Sequence, residues 1–370
     1  MNTLELNKIH NIDCSSGLKL INSNTVDCCV TSPPYYGLRD YRLPKTEWPV
    51  VEYSPLPGIP EIQISEWEGC LGLEPTIEMF IGHMVLIFRQ VYRTLKKSGT
   101  CWINFGDSYV GTGGDRKNPV QNELFNLQQS HNPGDGRHCR NKSLKKSGLK
   151  VKDMMGIPWR VAFALQADGW YLRMDNIWSK TNCMPESAAD RPTKAHEYVF
   201  LLTKSKKYYY DQESIKEICV NGDPNPPRGS EGVLGNLQKG RRDKGNSKTF
   251  RGGGAYTKGQ SFDNSAEVER DSHGNIPNTL GLRNKRSVWN VATDKLSEAH
   301  FATYPPKLIE PCILAGCPAD GLVLDPFMGS GTTAMVALQN QRKFIGFELN
   351  PEYIEIANKI RLSNLQLKIV

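Results

Sequence analysis

The 370-residue sequence contains no run of 18 apolar residues, so no membrane-spanning helix is expected. Its best apolar run, Val85-Leu86-Ile87-Phe88, is short and lies inside an amphipathic pattern. The opening Met1-Asn2-Thr3-Leu4-Glu5 has no basic segment leading into an apolar one, so no secretory signal is read. Ten cysteines are scattered along the chain without a CxxC pair, and no His/Cys cluster has zinc-ligand spacing. No metal is expected, and the thiols read as those of a reduced, cytoplasmic protein. The dinucleotide fingerprint GxGxxG is missing, as is any internal repeat. What is present is a hydrophobic fraction of 38%, enough to build one large α/β domain with insertions or two modest domains.

The net charge is +7, and its distribution says more than its size. Residues 115–150 carry 8 Lys/Arg against 3 Asp/Glu, and residues 221–290 carry 12 against 7. The positive excess therefore lies in two segments of low hydrophobicity, with the remainder of the chain slightly negative. Such segments suit contact with a polyanion, and equally suit solvated loops.

Residues 25–31 (TVDCCVT) read as a buried strand stopped by Pro33-Pro34. Over 76–97 the residues Ile77, Phe80, Ile81, Met84, Phe88, Val91, Tyr92 and Leu95 form one stripe, so the spacing predicts a helix there. A strand is expected at 100–105, a long Gly/Asn/Lys-rich insertion at 110–150, a helix near 157–167, and strands near 170–178 and 197–203. Residues 221–287 lack periodicity. The last block predicts a helix near 305–316, a strand at 321–325, a helix at 332–341, a strand at 343–347 and a helix from 351. This alternation predicts an α/β fold: a mostly parallel sheet with helices on both faces.

The strongest site signal is VLDPFMGSGTT at 323–333, an apolar strand ending in a glycine turn from which a helix starts at once. Glycines there let the backbone approach a ligand, and the helix N-terminus favours an anionic group. FIGFE at 344–348 is a second strand ending in a carboxylate, 17 residues after Gly331, where an acid can accept ribose hydroxyls. The plainer role for Glu348 is that of a helix-capping acid before Asn350-Pro351.

DPFMGSGTT followed by GFELNPEY resembles the cofactor motifs of amino-methylating DNA methyltransferases. The resemblance implies S-adenosylmethionine as cofactor and a Rossmann-like methyltransferase fold. Phe327, Gly329, Ser330, Gly331, Thr332 and Thr333 would surround the methionine moiety, with Asp325 at the strand end. Glu348, with Asn350 beside it, would hold the ribose. Thr303, Tyr304 and Pro305 lie in a segment (HFATYPPK) similar to the one that packs over the cofactor, and Asp13 is similar to the acid that meets the adenine amino group.

Thr31-Ser32-Pro33-Pro34-Tyr35 stands at a strand end, where open α/β sheets place ligands. An exocyclic base amine is a poor nucleophile because its lone pair is delocalised into the ring. Ser32 Oγ and the Pro33 carbonyl are acceptors suited to such an NH₂. Pro33 and Pro34 fix the turn, and Tyr35 offers a face on which an extruded base can stack. By itself SPPY is a strand-ending turn; beside the two cofactor motifs it becomes a catalytic candidate.

TSPPY precedes DPFMGSGTT by about 290 residues. This circularly permuted order resembles the β class of these enzymes. RTLKKSGT through NFGDS, GWY through PES, and RPTKAHEY also look like family sequence, about two-thirds of the chain in all. The implied layout is a catalytic domain of residues 1–220 and 288–370, with the basic insertion 110–150, and a target-recognition candidate at 221–287. Arg241, Arg242, Lys244, Lys145, Lys146 and Lys180 are the DNA-binding candidates. Trp178-Ser179-Lys180 and Met184-Pro185-Glu186-Ser187 either line the base pocket or DNA cleft or are an ordinary strand edge and loop. The implied partners are double-stranded DNA, a cognate restriction endonuclease and, as is common in such enzymes, a second copy of the chain.

Serine at the head of the catalytic motif resembles N4-cytosine enzymes, while Asp or Asn is more usual in N6-adenine enzymes, so adenine stays open. RNA and glutamine methylation share PPY motifs, but the basic insertions and permuted order argue against them. A DNA-binding module without catalysis predicts a broken cofactor turn. Carbon-5 methylation through Cys312 is rejected, since that cysteine lies in a predicted helix.

Overall fold

The computed structural model describes residues 4–37, 43–110, 148–218, 282–294 and 303–363. Met1–Ile215 with Arg286–Val370 make one compact unit, and Lys216–Lys285 a second.

In the first unit, β2 (Val26–Thr31) has all six residues buried, as a strand covered on both faces must. It lies inside an eight-stranded sheet. The sheet runs from β1 (Lys8–His10) through β14 (Lys343–Phe347) and β13 (Leu322–Asp325) to β2, then through β7 (Leu95–Phe105), β9 (His196–Thr203) and β8 (Tyr171–Ser179) to β12 (Val288–Asn290). Only β9 opposes its neighbours; the other seven strands point one way.

Alternate side chains of β2 enter two different cores. Cys29 packs with α1 (Cys14–Leu20), α2 (Ile77–Thr94) and α3 (Ile157–Ala167), while Cys28 and Val30 pack with α4 (Pro306–Gly316) and α5 (Thr332–Gln339). Helices thus cover both faces, as the alternating pattern predicts. Cys312 is buried within α4. After α6 (Pro351–Ile356) the helix widens to π geometry over Ala357–Leu362.

The helix expected over 76–97 stops at Thr94. Leu95 turns extended (φ −64°, ψ 139°) and pairs with Val26, and Lys96 reaches Asp27 at 2.8 Å. Those cross-strand partners draw the basic turn into β7. The region between the catalytic motif and α2 also folds. Two short antiparallel ribbons pair β3 (Thr46–Trp48) with β6 (Trp67–Gly69) and β4 (Val51–Tyr53) with β5 (Ile62–Ile64). They rest on α2, where Trp48 and Trp67 stack on the buried His83 ring at 4.4 and 5.7 Å. His83 in turn contacts the buried Glu74 at 2.9 Å.

In the second unit, β10 (Glu217–Ile218) pairs antiparallel with β11 (Leu282–Arg283), tied by an Arg283–Glu217 ion pair at 3.0 Å. Among the described residues no helix is long and apolar enough to cross a membrane.

Candidate active site

Parallel strands deliver their carboxyl ends to one edge of the sheet, and the candidate motifs sit on those ends. β13 and β2 are direct neighbours, with Leu324 opposite Cys29. Thr31 Oγ1 therefore donates to Asp325 Oδ1 at 2.6 Å, although the two residues are 294 apart in the chain. The same buried carboxylate accepts from Thr333 Oγ1 at 2.6 Å, Tyr304 OH at 3.0 Å and the Phe327 amide at 3.0 Å. Tyr304 OH also contacts Thr333 Oγ1. Burial pushes the Asp325 carboxyl above its ordinary value, and these donors pull it back.

A cavity of about 890 Å³ opens along this edge. At one end it is lined by Asp13, Thr303, Tyr304, Phe327, Gly329, Ser330, Thr332 and Glu348. Glu348 uses both oxygens: Oε2 accepts the Gly329 amide at 2.9 Å and Oε1 the Asn350 amide at 2.7 Å. Burial raises its carboxyl above the usual value. The helix cap is Asn350, whose side chain accepts from the Glu352 amide at 2.9 Å. Asp13 likewise caps α1, accepting from the Ser16 amide at 2.9 Å. Pro305, Asp325, Gly331, Thr333 and Asn350 do not line the cavity.

The other end of the cavity is lined by Ser32, Pro33, Pro34 and Tyr35 together with Asn104, Lys180, Lys194 and Glu197. Ser32 Oγ donates to Asn104 Oδ1 at 3.3 Å, and Tyr35 OH donates to Glu197 Oε2 at 2.7 Å. Asn104 Nδ2 donates to Glu197 Oε2 at 3.2 Å and to the Tyr198 carbonyl at 3.1 Å, which turns its Oδ1 toward Ser32. Lys180 pairs with Glu197 and lies 4.7 Å above the Trp178 ring. Burial and the Glu197 charge hold the Tyr35 hydroxyl well above its ordinary pKa, so it remains a donor. A Cβ on Gly106 would come within 2.7 Å of Tyr35 Cε2, so the glycine leaves the ring its place. Lys194 donates to the Asp107 carbonyl at 2.6 Å, and burial lowers its pKa.

Asn104, Lys194 and Glu197 carry no role in the sequence reading, although the stretches containing them look like family sequence. Glu197 arrives because β9 runs backwards: its amino end meets the carboxyl ends of β7 and β8, with Glu197 opposite Trp178. Lys180, a DNA-binding candidate, lines the cavity and pairs with Glu197. Arg241, Arg242, Lys244, Lys145 and Lys146 lie outside the described residues.

Residues 26–359 match the profile of a family described as DNA methylase, of N6/N4 type. The chain belongs to that family. The methyltransferase is 39% identical over 345 residues to the type II methyltransferase M.Cfr9I of Citrobacter freundii, covering 93% of this chain and 84% of the relative. It is 38% identical over 347 residues to M.SmaI of Serratia marcescens, covering 94% and 88%. Its fold is similar to that of PvuII DNA methyltransferase (cytosine-N4-specific), with TM-score 0.54, 17% identity and coverage of 98% and 91%. The methyltransferase is thus a site-specific DNA methyltransferase that takes S-adenosylmethionine as methyl donor. The cavity fits such a cofactor: Thr303 Oγ1 and Ser330 Oγ are buried in its lining without hydrogen-bond partners.

Proposed function

We propose that the protein methylates the N4 amino group of cytosine within a specific sequence of double-stranded DNA, acting on a base turned out of the duplex. The observation that carries this reading is the place of Ser32 in the cavity wall, with its Oγ 3.3 Å from Asn104 Oδ1. Donation to that oxygen leaves the Ser32 lone pairs to accept from an amine. With the Pro33 carbonyl they hold the NH₂ hydrogens and make the nitrogen more tetrahedral as it bonds. Tyr35, fixed by Glu197, offers its ring to the base. When bound, S-adenosylmethionine supplies an electrophilic methyl on sulfonium. Glu348 would hold its ribose, Asp13 its adenine end, and Gly329, Ser330 and Thr303 its amino-acid end. No covalent intermediate on the protein is needed, and the rate gain comes mainly from position.

Serine at the head of the motif favours cytosine over adenine. The positive segments within 110–150 and 221–287 carry the phosphate contacts, with Arg241, Arg242, Lys244, Lys145 and Lys146 foremost, and 221–287 reads the target. The type II names of the relatives support a cytoplasmic restriction-modification role beside an endonuclease of matching specificity, and a dimer is the assembly to seek by sedimentation. The test is incubation with labelled S-adenosylmethionine and duplex DNA, then digestion to nucleosides. Label in N4-methyl-2′-deoxycytidine supports the reading; label in N6-methyl-2′-deoxyadenosine, in RNA or in protein would replace it.

A further inference from the structure

We propose that Met184 is the side chain that enters the base stack of the duplex when the target base leaves it, a role that rests on the cavity being the pocket for that base. Met184 is 77% exposed. Among the described residues it is the one large, exposed apolar side chain that also lines the cavity. Water-exposed methionine contributes nothing to the core, so its apolar surface gains only when something covers it.

The loop carrying Met184 is braced while Met184 is not. The Lys180 amide donates to the Ala195 carbonyl at 2.8 Å and closes the stem. Asn182 Oδ1 accepts from the Thr293 amide at 2.7 Å and its hydroxyl at 3.1 Å, and Asn182 Nδ2 donates to the Thr293 carbonyl at 3.3 Å. On the far side Glu186 accepts from Arg191 at 2.5 Å, and the Arg191 guanidinium stacks 4.0 Å over Tyr109. Pro185 restricts the Met184 backbone to extended conformations. A stiff loop thus presents a single flexible, unbranched apolar side chain at the mouth of the pocket.

A base that swings out leaves an apolar gap between its neighbours, and unpairing and unstacking oppose the step. Methionine is among the apolar side chains that wedge between base steps, and its thioether adapts to an irregular gap. Insertion of Met184 fills that gap, so it favours the extruded state without touching the reacting atoms.

The full-length protein is assayed on two duplexes carrying its target site. One is fully paired; in the other the target base, located first from the wild-type product, faces an abasic position and is already unpaired. For Met184→Ala, kcat/KM on the paired duplex is expected to fall roughly tenfold or more. On the abasic-opposed duplex it should stay within about twofold of wild type, with S-adenosylmethionine affinity unchanged, and Met184→Leu should recover most of the loss. Equal loss on both duplexes, weakened cofactor binding (a lid over the cofactor), or no loss on either (a plain surface residue) would each overturn the proposal. A wild-type protein that methylates neither duplex would instead remove the pocket assignment itself.

Discussion

Two glycines in one turn separate the folding role of the cofactor loop from its binding role. Gly329 and Gly331 both have left-handed backbones, at φ 53° and 82°. An alanine in that region costs about 1–2 kcal/mol. Their surroundings differ. A Cβ on Gly331 would meet Ala357 Cβ at 2.7 Å, which adds an overpacking cost of about 1–3 kcal/mol, whereas a Cβ on Gly329 meets nothing within 4 Å. Gly331→Ala is therefore expected to lose about 2–5 kcal/mol of stability and Gly329→Ala about 1–2 kcal/mol. Binding should rank the other way for the folded proteins, because Gly329 lines the cavity and its new methyl would occupy ligand space. Urea midpoints measure the first quantity and titration calorimetry with S-adenosylmethionine the second. Gly329→Ala should fold nearly normally yet bind at least about tenfold more weakly, a loss of about 1.4 kcal/mol. Equal destabilisation by the two substitutions, or unaltered affinity in Gly329→Ala, would refute the reasoning.

Other perturbations address the remaining parts of the site. Ser32→Ala and Tyr35→Ala should lose turnover while cofactor affinity survives; normal turnover in both variants would show the chemistry to lie elsewhere. Burial raises the Glu348 carboxyl above 4.5, so in the free protein its contribution to folding is present at low pH and lost as pH rises through the raised value. On the proposed ribose role of Glu348, which uses the ionised form, cofactor affinity should weaken as pH falls, beginning above pH 4.5; calorimetry across that range checks this, with Glu348→Gln expected to remove that part of the dependence. Neutralising Arg241, Arg242 and Lys244 together should weaken DNA binding and flatten its dependence on salt, since each phosphate contact releases counterion; unchanged affinity would remove these residues from the interface.

Much of the fold was legible because its elements are long or strongly patterned. The strand at 25–31, the stripe of α2 and the strand-turn-helix at 323–339 all carry local signals that tertiary contacts reinforce. The ribbons between 46 and 69 have only three-residue strands. At that length periodicity has no room to show, and pairing rather than propensity decides. The end of α2 was misplaced for a related reason. Leu95 continues the helical stripe in sequence, yet the Val26 strand and the Asp27 carboxylate offer it and Lys96 better partners.

The site shows the same division between local and non-local information. SPPY and DPFMGSGTT announce themselves because each compresses a strand end, a turn and its special residues into one stretch of chain. Glu197 has no such signature: a glutamate opening a strand reaches the cavity only because β9 runs against β7 and β8. Permutation of the motif order is harmless for the same reason. A catalytic edge is defined by which strands are adjacent, and β2 and β13 are neighbours whatever their order in the chain. The Thr31–Asp325 hydrogen bond then ties the end of β2 to the end of β13, and a buried bond of 2.6 Å leaves the spacing of the SPPY and DPFMGSGTT turns little freedom. Positional catalysis depends on such constraint, because misplacing a reacting group by about 1 Å can cost on the order of a hundredfold in rate.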